Sequence, residues 1–140
     1  MKHLVMIAES DDELRFLYQR FLANLGYEVD TAANGLECLA KLRQLKPDLI
    51  VVDRHLRWGG GDGVIAWLRD ERATPPVPVI LTEVISAPSD GAELIKTPVV
   101  GYLAKPFGLS AFLKRVRLAL AGPTAGMDSS ANGRIEVIRT

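Results

Sequence analysis

Four apolar residues, Leu49-Ile50-Val51-Val52, run unbroken between Asp48 and Asp53. The run is too short for a free-standing helix and is rich in β-branched residues. It reads as a strand buried on both faces, the kind found inside a parallel sheet. No other stretch constrains the fold as strongly, because a doubly buried strand needs helices above and below it. Asp53 stands where this strand runs out. Ligands of open α/β sheets bind outside the carboxyl ends of the strands, so the question becomes which reactive groups converge on Asp53.

The rest of the chain supplies the layers. His3 to Ala8 is a second apolar run, ending at Glu9, and Ser10-Asp11-Asp12-Glu13 then offers a cap and first-turn acids for a helix. Leu14, Leu17, Tyr18, Phe21, Leu22 and Leu25 follow at helical spacing as one apolar face, closed by Gly26. Tyr27 to Ala32 alternates like an edge strand, Asn34-Gly35 turns the chain, and Leu36, Leu39, Ala40 and Leu42 mark a second helix that stops before Lys46-Pro47. Past Asp53, the run Gly59-Gly60-Gly61 predicts a loop of unrestricted shape. Val64, Ile65, Trp67 and Leu68 predict a third helix, broken by Thr74 to Pro78. Val79-Ile80-Leu81 reads as a fourth strand ending at Thr82, and Gly91 to Lys96 has room for a short helix only. Val99 to Ala104 is a fifth strand ending at Lys105-Pro106, and Leu109, Phe112, Leu113, Val116 and Leu120 form a last helix. Residues 1–121 thus read as one domain, and 122–140 as a flexible tail or linker stub.

Strands alternating with helices predict a doubly wound five-stranded parallel sheet with helices on both faces, in the flavodoxin-like order 2-1-3-4-5. Lys+Arg and Asp+Glu stand at 17 each, so no global basic field recommends direct nucleic-acid binding. The one cysteine, Cys38, excludes an internal disulfide and a cysteine-based zinc site, and it reads as a small core residue. The first apolar run meets Glu9 too soon for a secretory leader, and no apolar stretch has membrane-spanning length, so a cytoplasmic protein with no membrane contact is the expectation.

In that strand order Glu9 and Asp53 become neighbours, with Thr82 and Lys105 ending the next two strands. Two adjacent carboxylates repel one another. A hard cation such as Mg2+ relieves this, takes oxygen ligands and leaves positions for phosphate oxygens. Asp53 then serves as a nucleophile toward a phosphoryl group. Lys105 neutralises phosphoryl oxygens, the Thr82 hydroxyl donates to another, and backbone amides after Asp53 add to the cradle.

These pieces resemble the receiver domain of two-component response regulators. The matching residues are Leu4 to Glu9 with acids following, Pro47 to Asp53, Asp62-Gly63, Pro78 to Thr82, and Gly101-Tyr102-Leu103-Ala104-Lys105-Pro106-Phe107, in family order and at about family spacing. The resemblance implies that Asp53 accepts phosphate from a histidine kinase or phosphotransfer protein. It implies Mg2+ held by acids after the first strand, by Asp53 and by the His55 backbone carbonyl. It implies that Thr82 and Tyr102 act as a switch pair, and that Lys105–Pro106 is a cis peptide bond. Output is then expected through an effector protein or a homodimer, on the face built from the fourth helix, fifth strand and last helix. Catalysis is confined to the domain's own phosphotransfer and dephosphorylation.

Three departures from the family pattern stand out. The second acid after the first strand is replaced by Ser10, leaving Ser10 or Asp11 as the remaining metal ligand beside Glu9. The loop after Asp53 carries Trp58-Gly59-Gly60-Gly61 in place of a shorter stretch with proline. Glu83 follows the switch threonine where a small residue is usual, and adds bulk and negative charge where an anion is to bind. Ser10 and Glu83 motivate an alternative, a degenerate receiver acting as a phosphorylation-independent docking module, in which Ser10→Asp with Glu83→Ala restores phosphorylation. A phosphatase-like enzyme is disfavoured because His55, not an acid, stands two residues after Asp53.

Overall fold

The computed structural model describes residues 2–70, 77–85 and 91–129, with side chains to 122. The elements run β1 (Leu4–Ala8), α1 (Asp12–Asn24), β2 (Glu28–Ala32), α2 (Gly35–Leu42), β3 (Leu49–Asp53), α3 (Gly60–Asp70), β4 (Val79–Val84), a 3-10 turn (Ala92–Leu94), β5 (Val99–Lys105) and α4 (Leu109–Ser129). All strand pairs are parallel, in the order β2-β1-β3-β4-β5. The doubly wound expectation holds, with the chain's reversal point between β1 and β3.

Strand alternation sorts the side chains into two cores. Val5, Ile7, Leu49, Val51, Ile80 and Leu103 face α1 and α4, where Tyr18, Leu22, Phe112 and Val116 pack on them. Met6, Ala8, Ile50, Val52, Leu81 and Tyr102 face the opposite way, toward Cys38 and Leu42 of α2 and Val64, Ile65 and Leu68 of α3. All five residues of β3 are buried, as a strand covered on both faces requires. Truncating Val51 or Ile50 to alanine removes contacts that cannot refill, at about 1–5 kcal/mol each.

The helix starts follow their caps. Asp11 accepts from Leu14 N at the head of α1, and Asn34 accepts from Glu37 N at the head of α2. Gly26, at φ 99, takes the left-handed place after α1. The apolar face of α1 is narrower than its sequence spacing predicts. Tyr18 and Leu22 are buried, whereas Leu17 and Leu25 are exposed, as is Leu36 at the start of α2.

Other expectations are corrected. Gly60 and Gly61 do not belong to a free loop but open α3, and a Cβ on Gly61 would lie 2.7 Å from the Asp53 carbonyl oxygen, so close packing against the end of β3 dictates the glycine. β4 does not stop at Thr82 but continues through Glu83 and Val84, paired with Ala104 and Lys105. The short helix expected between Gly91 and Lys96 is present, as a single 3-10 turn over Ala92–Leu94. α4 runs on past Leu120, with a non-helical break at Gly122 (φ 84, ψ 175), the first residue of the segment read as a tail. The proline-rich break at 74–76 and residues 130–140 lie outside the described residues.

Candidate functional site

β1, β3, β4 and β5 end on one rim of the sheet, and strand parity decides what each presents there. Glu9 continues the Val5-Ile7 alternation, Asp53 the Leu49-Val51 alternation, Thr82 follows Ile80, and Lys105 follows Leu103. The four therefore belong to the α1/α4 side of the sheet. Thr82 stands opposite Asp53 in register and is buried.

Lys105 joins the two acids. Its Nζ lies 2.6 Å from Glu9 Oε1 and 3.2 Å from Asp53 Oδ2. Side-chain exposures of 9%, 4% and 11% for Lys105, Glu9 and Asp53 place the triad largely out of water, where the ion pairs are weakly screened. The other carboxylate oxygens accept from backbone: His55 N donates to Asp53 Oδ1 at 3.0 Å, and Asp11 N to Glu9 Oε2 at 3.0 Å. Burial pushes the Glu9 carboxyl above its ordinary value, opposed by the hydrogen bond and charge of Lys105. Two acids share one lysine, so the cluster carries one negative charge in excess when both are ionised.

Ser10 and Asp11, the two candidates for the remaining metal ligand, are engaged elsewhere. Ser10 Oγ accepts from Arg57 N at 2.9 Å, and Asp11 Oδ1 from Leu14 N at 3.0 Å. No group of three or more His, Cys, Asp or Glu side chains able to hold a metal occurs among the described residues. The donor set nevertheless fits magnesium, which commonly takes one or two carboxylates and keeps several waters. Glu9 and Asp53 supply the two hard oxygens, and the excess charge favours a cation.

Glu83, expected beside the anion, is on the other side of the sheet. It follows Leu81 in parity, and its carboxylate turns to Tyr102, Arg54 and His55. Tyr102 is 1% exposed, with its ring inside. Burial and the Glu83 carboxylate both push its phenol well above the ordinary range. Arg54 was not foreseen as a participant. Its signal was an Arg and a Glu at the ends of two neighbouring strands. Arg15 was missed too: its Nη1 donates to the Glu9 carbonyl at 2.8 Å and so anchors the turn after β1 to α1.

Trp58, in the loop after Asp53, is 67% exposed and holds φ 61. Its carbonyl presses on Gly35, where a Cβ would come within 2.0 Å of that oxygen. The Gly35 amide donates to the Arg57 carbonyl at 2.7 Å. Lys105–Pro106 is a cis peptide bond, as is Thr97–Pro98.

Known proteins share this fold. Residues 5–117 match the response regulator receiver domain family. The polar-differentiation response regulator DivK of Brucella anthropi is 29% identical over 117 residues, spanning 84% of this chain and 95% of DivK. Chemotaxis response regulator CheY4 of Vibrio cholerae superposes with a TM-score of 0.77 at 26% identity, covering 86% of this chain and 100% of that one. Response regulator TrrA of Thermotoga maritima, solved in complex with Mg2+ and BeF, gives a TM-score of 0.73 at 26% identity, again over 86% and 100%. With its sheet order, strand-end acids and Lys-Pro junction in place, the chain belongs to the receiver domain family of two-component response regulators.

Proposed function

We propose that Asp53 is a phosphoacceptor and that this domain, residues 1–121, is a signalling switch fed by a histidine kinase or phosphotransfer protein in the cytoplasm. The observation that carries this reading is the Lys105 bridge between Glu9 and Asp53, a buried charge arrangement at a strand end that core packing alone does not call for. In the reaction an Asp53 carboxylate oxygen attacks the phosphorus of a phosphohistidine. The P–N bond breaks, its electrons return to the imidazole, and an acyl phosphate forms. Lys105 is placed to neutralise phosphoryl oxygens. The Thr82 hydroxyl, opposite Asp53, donates to another, and the His55 amide already donates to Asp53 Oδ1. Glu9, Asp53 and the His55 carbonyl would hold Mg2+, which when bound supplies charge neutralisation to the phosphoryl oxygens. The change at Asp53, passed through Thr82 in register with it, is read on the surface formed by the 3-10 turn, β5 and α4, which meets an effector protein or a second copy.

Incubation with acetyl phosphate and magnesium tests the reading. Intact mass is expected to rise by one phosphoryl group in the wild type and not in Asp53→Asn. No gain, under conditions that label an ordinary receiver, defeats it. The similarity to TrrA supports beryllofluoride as a second probe.

A second reading, a docking module that works without phosphate, is favoured by Ser10. Where the family carries an acid, this hydroxyl is committed to Arg57 N. It predicts unchanged partner binding in Asp53→Asn.

A further inference from the structure

Glu83 has three partners: Tyr102, which belongs to the core on the face of the sheet away from Asp53, and Arg54 and His55 in the loop after β3. Its Oε1 accepts from the Tyr102 hydroxyl at 2.9 Å. Its Oε2 lies 3.4 Å from Arg54 Nη1 and 3.4 Å from His55 Nε2. Arg54 and His55 are the two residues that immediately follow Asp53. Arg54 N also donates to the Thr82 carbonyl at 2.8 Å, and Arg54 Nε lies 3.6 Å from Asp62 Oδ1 of α3. One carboxylate thus ties the start of the loop after β3 to the end of β4 and to a buried ring on β5.

The ring has a seat made for it. Gly91 holds φ 69, and a Cβ there would fall 2.3 Å from Tyr102 Cγ and Cδ2, so only a glycine lets the ring lie in this place. A buried phenol needs a hydrogen-bond partner, and Glu83 is one. Neither Asp53 nor Thr82, which point to the opposite face, is needed to keep the ring in.

We propose that Glu83 is a positioning residue that latches Tyr102 inward and braces the Arg54-His55 segment beside Asp53, so that the surface beneath the 3-10 turn and β5 is already in its ring-in form before Asp53 is modified. A ligand shifts an equilibrium only by its differential affinity for the two states. Where Glu83 already holds the ring-in state, modification of Asp53 moves Tyr102 little. This rests on the phosphoacceptor reading given above, replaces the expected Thr82–Tyr102 switch pair with a Tyr102 already held inward, and reverses the sign expected for Glu83. The residue does not obstruct the anion, and removing it loosens the site.

The test uses the full chain labelled with 3-fluorotyrosine, whose fluorine resonances are Tyr18, Tyr27 and Tyr102, the last assigned with Tyr102→Phe. In the wild type the Tyr102 signal is expected to be shielded from a soluble paramagnetic agent and to stay in place when beryllofluoride and magnesium are added. Glu83→Ala is expected to expose it, whereas Glu83→Gln, whose amide oxygen still accepts from the phenol, keeps it shielded. Glu83→Thr suits the strand and carries the same expectation if the alanine variant does not fold. Labelling by acetyl phosphate is expected to be several-fold slower in Glu83→Ala than in the wild type. A Tyr102 signal still shielded in Glu83→Ala or Glu83→Thr, or faster labelling in either, overturns the proposal. If the wild type takes no label, the phosphoacceptor reading falls, while the Tyr102 comparison still decides the role of Glu83.

Discussion

The two faces of the sheet rim carry charge clusters of different burial and different partners. On the α1/α4 side, Glu9 and Asp53 share one lysine and are nearly dry. On the other side, one carboxylate, Glu83, faces Arg54 and His55, which are 33% and 65% exposed. The first cluster has acid to spare, held where water cannot screen it, and is open to a cation and a phosphoryl group. The second has its one acid satisfied by several donors and acts as a strut. A buried ion pair is weak evidence of stabilisation, because desolvation offsets the attraction. An arrangement that stays buried with its charges unbalanced is better explained by chemistry than by stability.

The largest effect expected from that contrast is on Lys105. Lys105→Met leaves Glu9 and Asp53 facing each other without a cation, and breaking a buried pair in this way costs roughly 3–5 kcal/mol. Asp53→Asn removes the excess charge and keeps the shape, so its stability stays equal to the wild type or rises. Urea melts of the two variants measure this. A Lys105→Met protein as stable as Asp53→Asn would show that the acids are not held against their repulsion. Labelling by acetyl phosphate is lost in both.

Smaller, and on the opposite face, is Gly91→Ala. The new Cβ meets the Tyr102 ring and the backbone is left-handed there. Overpacking of this kind costs about 1–3 kcal/mol, with strain at φ 69 adding to it. Thermal melts should fall by several degrees and the Tyr102 ring should become exposed. An unchanged melt would mean the seat adapts, and would weaken the picture of a fixed strut.

How much of this contrast was legible in the sequence depended on whether parity or partner choice decided it. The triad was legible. Runs such as Leu49 to Val52 fix strands, strand ends fix Asp53, Glu9 and Lys105, and the order 2-1-3-4-5 makes them neighbours. The glycine run was not, because Gly60 takes a left-handed turn (φ 70) at the head of α3 and Gly61 packs against the end of β3, and neither is visible before the two elements meet. Glu83 was misread for a simpler reason. β4 was ended at Thr82, and only the two further residues paired with β5 show that residue 83 takes the face of Leu81 and Tyr102. Ser10 was seen as a missing ligand, and its bond to Arg57 N depends on how the loop with Trp58 folds back.

Ser10→Ala tests that loop contact at lower cost. It leaves Arg57 N without its side-chain acceptor at a solvent-facing site, worth about 0.5–1.5 kcal/mol. Ser10→Asp keeps an acceptor for Arg57 N and adds a third acid beside a cluster already rich in them. Magnesium affinity, followed by tryptophan fluorescence or calorimetry, should rise about tenfold, near 1.4 kcal/mol. Equal affinity in the serine and aspartate forms would mean that position 10 faces the loop alone and that Glu9 and Asp53 set the metal site by themselves.

The smallest effect separates the two clusters by salt. Arg54→Gln removes a partly exposed ion pair, and such pairs contribute about 0–1 kcal/mol. Arg54 is a third exposed and reaches Glu83 at 3.4 Å and Asp62 at 3.6 Å, so none of its contacts is short. In 1 M salt the Debye length is about 3 Å, and what attraction remains is screened. The stability difference between Arg54→Gln and the wild type should therefore vanish there. The Lys105→Met loss should persist, because its pairs are buried and short. If salt erased both differences alike, the triad would be as wet as the strut, and Asp53 would lack the dry surroundings that make its charge balance chemically useful. If salt erased neither, the Arg54–Glu83 contact would behave as a buried pair in its own right, and burial would no longer separate the two faces.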